Sequence, residues 1–218
     1  LHSRATMDMD ATIRNHPVNE NSIKTMFEEI VSIPIDDDIS FSFQGVGEIR
    51  KNDAYGGYRI SLTANFPPMK VPLKLDITTG DKITPEAVEY KYPMMFSNGT
   101  LEIFAYNLET ILAEKLETVI SRGDQNTRPR DFYDIFILSK LKGNMINLDT
   151  LRRALSETSR KRNSSDLILQ YRSIVEQVIE STAMQQHWKT YQRDYEYARE
   201  VEFSLACETI IKIMDSIR

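Results

Sequence analysis

The chain has 218 residues, 41% of them hydrophobic and 27% charged, and carries a formal net charge of −5 with a single cysteine, Cys207. That length and composition belong to a globular protein that builds its own core and needs no disulfide or metal staple. They exclude an intrachain disulfide framework, a membrane-spanning segment of about 20 apolar residues, and nucleic-acid binding through the whole surface, and they fit a reducing cytoplasm.

Residues 1–12 read as a short strand carrying the paired aspartates Asp8 and Asp10. In a strand these two share one face, with Met7 and Met9 on the other, and their Cα atoms lie about 6.5–7 Å apart. Two carboxylates so close repel unless a cation lies between them, and hard oxygen donors suit Mg²⁺ or Mn²⁺. The first residues are Leu1-His2-Ser3-Arg4, which leads to the expectation that the chain's true start lies upstream. Asn21 and Ser22 are candidate N-caps for a helix whose stripe is Ile23, Met26, Phe27, Ile30 and Val31, stopped by Pro34. Ile39, Phe41 and Phe43, then Tyr58, Ile60, Leu62 and Ala64, alternate with polar residues and predict an antiparallel hairpin.

Val71, Leu73, Leu75 and Ile77 form the next strand, with Lys74 and Asp76 on its opposite face. If this strand neighbours the first, Asp76 supplies a third carboxylate, and three such groups can hold a pair of divalent ions for in-line phosphoryl displacement. Lys74 would point the same way, toward a carboxylate or a phosphate. Tyr90–Phe96 and Leu101–Tyr106 are further strands, with Asn98-Gly99 as a tight-turn signal.

From Asn107 the pattern becomes helical. Leu108, Ile111, Leu112, Leu116, Val119 and Ile120 form a stripe, and Lys115 falls inside it. A lysine there must be paired, snorkel out, or serve a site that needs a cation. The loop Arg122–Arg130 follows, rich in arginine, and opens a helix with Asp131 and Asp134 three apart on one face. Arg128 and Arg130 could be helix-end charges or a clamp for phosphates. Arg152, Arg153, Arg160, Lys161 and Arg162, with Glu157 opposing them, are either a solvated face or a guide for a nucleic acid. Leu167, Tyr171, Ile174 and Val178 fall at roughly helical spacing, and Trp188, Tyr191 and Tyr195 read as a packing stripe. Cys207, among apolar helical residues, reads as a buried thiol. His2, His16 and His187 have no metal-ligand spacing.

The expected architecture is α/β (α+β): a mixed β-sheet core over residues 1–106, then a C-terminal helical bundle over 107–218. Three blocks resemble the AbiEii/AbiGii abortive-infection toxins, proteins of nucleotidyltransferase fold: Arg4 through Thr12, Lys74 through Ile77, and Leu112-Ala113-Glu114-Lys115 through Arg130-Asp131-Phe132-Tyr133-Asp134-Ile135. The last block is the most specific, because a bare Asp-x-Asp also occurs in glycosyltransferases. A glycosyltransferase, however, would show several βαβ units, and this chain turns wholly helical after about residue 107.

The resemblance implies that Asp8 and Asp10 hold Mg²⁺ or Mn²⁺ and that Asp76 is the third carboxylate, acting toward an acceptor hydroxyl. It implies that Lys115, Asp131 and Asp134 form the family's fourth motif, and that Arg4, Thr6, Lys74 and Arg130 lie at the nucleotide. It further implies a nucleoside triphosphate substrate, an RNA acceptor with tRNA foremost, and a cognate antitoxin that acts directly or indirectly. The family's Gly-rich phosphate-holding loop is expected upstream of Leu1. The alternatives carried with this reading are a catalytically silent nucleotide-binding module and transfer of the nucleotide to protein.

Overall fold

The computed structural model describes residues 9–14, 16, 18–35, 38–49, 56–79, 82–94 and 98–218. These residues fall into two compact units, divided between residues 81 and 82. The predicted strand over residues 1–12 is therefore described only from Met9, and the candidate residues Arg4, Thr6 and Asp8 lie outside the described residues.

The first unit is a four-stranded mixed sheet with one helix. Its elements are β1 (Met9–Ile13), α1 (Glu20–Ser32), β2 (Ser40–Ile49), β3 (Gly57–Phe66) and β4 (Met69–Thr79), with the strands in the order β1-β4-β3-β2. β2, β3 and β4 form an antiparallel meander, while β1 runs parallel to β4. The alternation read from the sequence holds: Ile60 and Ile77 are buried and pack with Ile23 and Phe27 of α1. Gly57 is required by a close approach, since a Cβ there would stand 2.7 Å from the carbonyl oxygen of Ile77. The start of α1 differs from the expectation at Asn21 and Ser22. Asn19 is the N-cap: its side chain accepts from Ser22 N, and the Asn19 N–H donates to Ser22 Oγ, a reciprocal capping box. Ser22 thus serves from inside the helix, three residues after the cap.

The second unit begins with a separate two-stranded ribbon, β5 (Val88–Pro93) and β6 (Thr100–Ala105). The predicted turn at Asn98-Gly99 is wider than a two-residue hairpin. Pairing ends at Pro93↔Thr100, and Met94 N donates to Gly99 O, so Asn98 and Gly99 close a six-residue connection. The chain division groups this ribbon with the helices that follow.

Those helices are α2 (Leu108–Arg122), α3 (Pro129–Lys142), α4 (Leu148–Lys161), α5 (Ser165–Leu169), α6 (Tyr171–Glu180), α7 (Thr182–Asp194) and α8 (Phe203–Ser216). The residues at helical spacing from Leu167 to Val178 are divided between α5 and α6 at Gln170. The core gathers Leu112 and Leu116 of α2, Phe132 and Ile135 of α3, Leu151 of α4, Val175 of α6, Trp188 of α7 and Ile210 of α8. α3 is the central helix, with seven consecutive buried residues, 131–137. A helix buried all round carries its polar residues into the interior, where they must find partners. Trp188 and Tyr191 of the aromatic stripe are core, with Trp188 Nε1 donating to Val201 O, whereas Tyr195 is exposed. Cys207 is fully buried, and burial pushes its thiol up to about 12. Among the described residues no helix is long and apolar enough to cross a membrane.

Candidate functional site

Two clusters of charged side chains stand out, one in each unit. The first is on the sheet. β1 and β4 are paired so that Asp10 is the direct partner of Asp76. In-register neighbours share a face, so the two carboxylates project side by side from adjacent strands, about 4.8 Å apart at the backbone. The same row continues into β3, where Arg59 is the register partner of Asp76. Its guanidinium donates from Nε to Asp76 Oδ1 and from a terminal nitrogen to Oδ2, both at 2.7 Å, the fork-on-carboxylate geometry that is the strongest form of such a contact. Lys74 lies two residues from Asp76 on the same face and is exposed. Asp10, Asp76 and Arg59 thus line up across three strands, on the face opposite Ile77 and α1.

Arg59 is the member that the sequence reading missed. It sits between Tyr58 and Ile60 on the polar side of an alternating strand, which is an ordinary place for an exposed arginine. Only the β3–β4 register, which sets it against Asp76, marks it.

Asp10 and Asp76 are the members of this row that could offer oxygen atoms to a hard divalent cation. Asp10 offers oxygen donors, and a carboxylate has about four lone-pair positions, of which the Arg59 fork uses two on Asp76. Among the described residues no three His, Cys, Asp or Glu side chains come together as a metal-holding group. Asp8, expected on the same face, lies outside the described residues.

The second cluster is inside the helical unit. Lys115 Nζ donates to Asp134 Oδ2 at 2.7 Å and to Asp131 Oδ1 at 3.3 Å. The two aspartate side chains are only 7% and 9% exposed, against 21% for the lysine. So the lysine inside the α2 stripe is there because α3 carries two carboxylates into the core. Asp131 and Asp134 hold Lys115, an alternative that the sequence left open. Asp131 also faces Arg128, 3.7 Å away, at the start of α3. Asp131 stands in the first turn, where the helix dipole favours an anion. Among the described residues its Oδ2 atom is buried without a hydrogen-bond partner, as is Nδ2 of the fully buried Asn126. Arg130, the second residue of α3, is half-buried. Tyr133, between the two aspartates, donates to Tyr197 O, and burial together with Tyr197 and Asp134 raises its phenol above the ordinary value.

The basic run after residue 150 is not a cationic face opposed by Glu157 alone. Arg152 pairs with Asp149 at 2.8 Å and Arg160 with Glu157 at 2.6 Å. Arg162 turns inward to Glu117 at 2.5 Å and lies 3.8 Å from Glu114. Glu117 is buried and also accepts from Ser164 Oγ. The sequence reading overlooked Asp149, which precedes the run, and could not see Glu117, which lies 45 residues upstream of Arg162.

A family model described as the nucleotidyl transferase AbiEii toxin of type IV toxin–antitoxin systems matches residues 1–208. No curated protein matches the sequence. Among solved structures, the chain is similar to JHP933 from Helicobacter pylori at 17% identity and a TM-score of 0.44, with 98% of this chain and 76% of that one covered. It is similar to a second H. pylori structure, whose nucleotidyltransferase assignment is itself provisional, at 17% identity and a TM-score of 0.43, with 98% and 78% covered.

Proposed function

Because the chain belongs to the AbiEii family of nucleotidyl transferase toxins of type IV toxin–antitoxin systems, we propose that it transfers a nucleotide from a nucleoside triphosphate to an RNA acceptor, tRNA foremost, with a divalent metal ion. The family implies an antitoxin partner and a nucleotide substrate; the acceptor and the metal are our reading. The observation that carries it is the register that sets Asp10 directly beside Asp76 on adjacent parallel strands.

In the proposed reaction the acceptor hydroxyl attacks the α-phosphorus, a new phosphodiester forms, and pyrophosphate leaves. Asp10 and Asp76, with Asp8 expected on the same face, would hold Mg²⁺ or Mn²⁺, which when bound neutralises charge on the phosphates. Arg59 keeps Asp76 in one orientation, because a bidentate guanidinium fixes both the position and the plane of the carboxylate. Asp76, so held, orients the acceptor hydroxyl by accepting its hydrogen bond. Lys74, exposed on the same face, is a candidate contact for phosphate oxygens.

Lys115 has three ammonium donors, and Asp131 and Asp134 accept from two directions. Lys115 and Arg130 are, in this reading, candidate contacts for phosphate oxygens. Two carboxylates around one lysine leave the trio at −1, and Arg128 close to Asp131 offsets that charge.

The test is incubation of the protein with Mg²⁺, radiolabelled nucleoside triphosphates, and bulk tRNA or cell extract. Label on RNA, lost in Asp76→Asn and on chelation of the metal, is the expected result. Label on protein instead would redirect the reading to protein nucleotidylation. Nucleotide binding without any transfer would leave a silent binding module.

A further inference from the structure

We propose that the β5 strand is a homodimerisation edge: two copies of this chain pair β5 against β5 in antiparallel register, centred on Tyr90, to form a four-stranded sheet. This inference is independent of the nucleotidyl transfer reading.

The ribbon β5–β6 is under-built as it stands. Its register pairs Val88 with Ala105, Tyr90 with Ile103 and Tyr92 with Leu101, so one face is wholly apolar. On that face Val88, Tyr90, Tyr92, Leu101 and Ile103 are all exposed. A two-stranded ribbon is marginal in water, and independent stability takes three or more strands with an apolar face or a helix packed across it. Among the described residues β5 has one strand neighbour, β6, and its other edge presents backbone N–H and C=O groups. Such an edge templates pairing with another chain.

The side chains of β5 say which chain fits. Antiparallel self-pairing centred on Tyr90 sets Glu89 opposite the partner's Lys91 and Lys91 opposite the partner's Glu89. On the other face it sets Tyr90 against the partner's Tyr90 and Val88 against the partner's Tyr92. Opposite charges and aromatic or β-branched pairs are the cross-strand combinations that stabilise a sheet. A lysine in an edge strand ordinarily deters pairing, but here the two-fold axis gives it an anion. Lys91 is accessible, 73% exposed, and its contact with Glu102 is long at 3.7 Å. The edge of β6 lacks this complementarity, because its one charge, Glu102, has no cation in its own strand to stand opposite. The resulting contact is isologous and closes on itself, so it yields a dimer rather than a fibre. Five paired residues make a small interface, below the roughly 1,200 Å² of a tight complex, so the dimer is weak and concentration-dependent.

The experiment is sedimentation velocity on the full chain across a wide concentration series, with charge-reversal variants. The wild type is expected to move from monomer to dimer as concentration rises. Lys91→Glu places Glu89 opposite a glutamate, and Glu89→Lys places Lys91 opposite a lysine, so each variant alone is expected to stay monomeric. Mixed in equal amounts they restore both opposite-charge pairs, and dimer should reappear. Circular dichroism of each variant checks that it is folded. A wild type that remains monomeric to millimolar concentration overturns the proposal. So does a mixture that stays monomeric while both single variants are folded, or single variants that dimerise as well as the wild type.

Discussion

Replacing Lys115 with methionine would remove its 2.7 Å ionic contact to Asp134 and the shorter of the two ionic contacts to Asp131, at 3.3 Å against 3.7 Å from Arg128. Methionine keeps most of the stem's volume, so the perturbation is the charge. It would leave two carboxylates, each under a tenth exposed, facing the space where the ammonium was. Breaking a buried ion pair by removing one partner costs about 3–5 kcal/mol, since a charge is left uncompensated. The lysine is about a fifth exposed and Arg128 still faces Asp131, so screening reduces the expected loss to about 2–4 kcal/mol. For a chain of this size that lowers Tm by roughly 5–15 °C. The assay is urea unfolding followed by the fluorescence of Trp188, the one tryptophan, which is buried in the same helical unit. A companion variant, Lys115→Met with Asp134→Asn, should lose less than the sum of the two single changes by about 1 kcal/mol or more, because removing the anion relieves the uncompensated charge. A single variant within about 1 kcal/mol of wild type, or strict additivity in the pair, would refute the view that these three groups are one electrostatic unit.

Three further outcomes follow from the same geometry. Arg162→Met should leave the buried Glu117 with Ser164 as its one remaining partner among the described residues and cost about 3 kcal/mol in urea unfolding, far more than the exposed Arg152→Met, whose pair with Asp149 is worth under about 1 kcal/mol. Gly123, which ends α2 at φ 52°, has a backbone conformation that a Cβ opposes; Gly123→Ala should cost about 1–2 kcal/mol by the same unfolding assay, and an unchanged midpoint would show that the turn relaxes. Cys207 should resist iodoacetamide in the native protein at pH 9 and react fully in denaturant. Its thiol is raised from 9.0 to about 12 by burial, so the stability that it contributes is complete below pH 9 and is lost as pH climbs from there toward 12. Rapid native alkylation at pH 9 would contradict that burial.

The local pattern of this chain was legible because it is written residue by residue. Alternation at Tyr58–Ala64 and Val71–Ile77 fixed which side chains of β3 and β4 face α1, and the 3.6-residue stripe of α2 fixed which of its residues enter the core. The same alternation put Lys74 and Asp76 on the polar face. The conspicuous lysine at 115 was also visible, because an ammonium inside an apolar stripe is costly unless paired.

What the periodicities do not encode is which strand lies beside which, and in what register. The pairing of Asp10 with Asp76 spans 66 residues, that of Arg59 with Asp76 spans 17, and that of Arg162 with Glu117 spans 45. Each depends on elements being brought together, and a slip of one residue in β1 or β3 would send its side chain to the other face. For that reason Arg59 looked like any surface arginine, and the run from Arg152 to Arg162 looked like a cationic stripe. The identity of a charge is a property of the sequence, but whether it is spent on a neighbour or presented to a ligand is decided only when the register and the helix packing supply that neighbour.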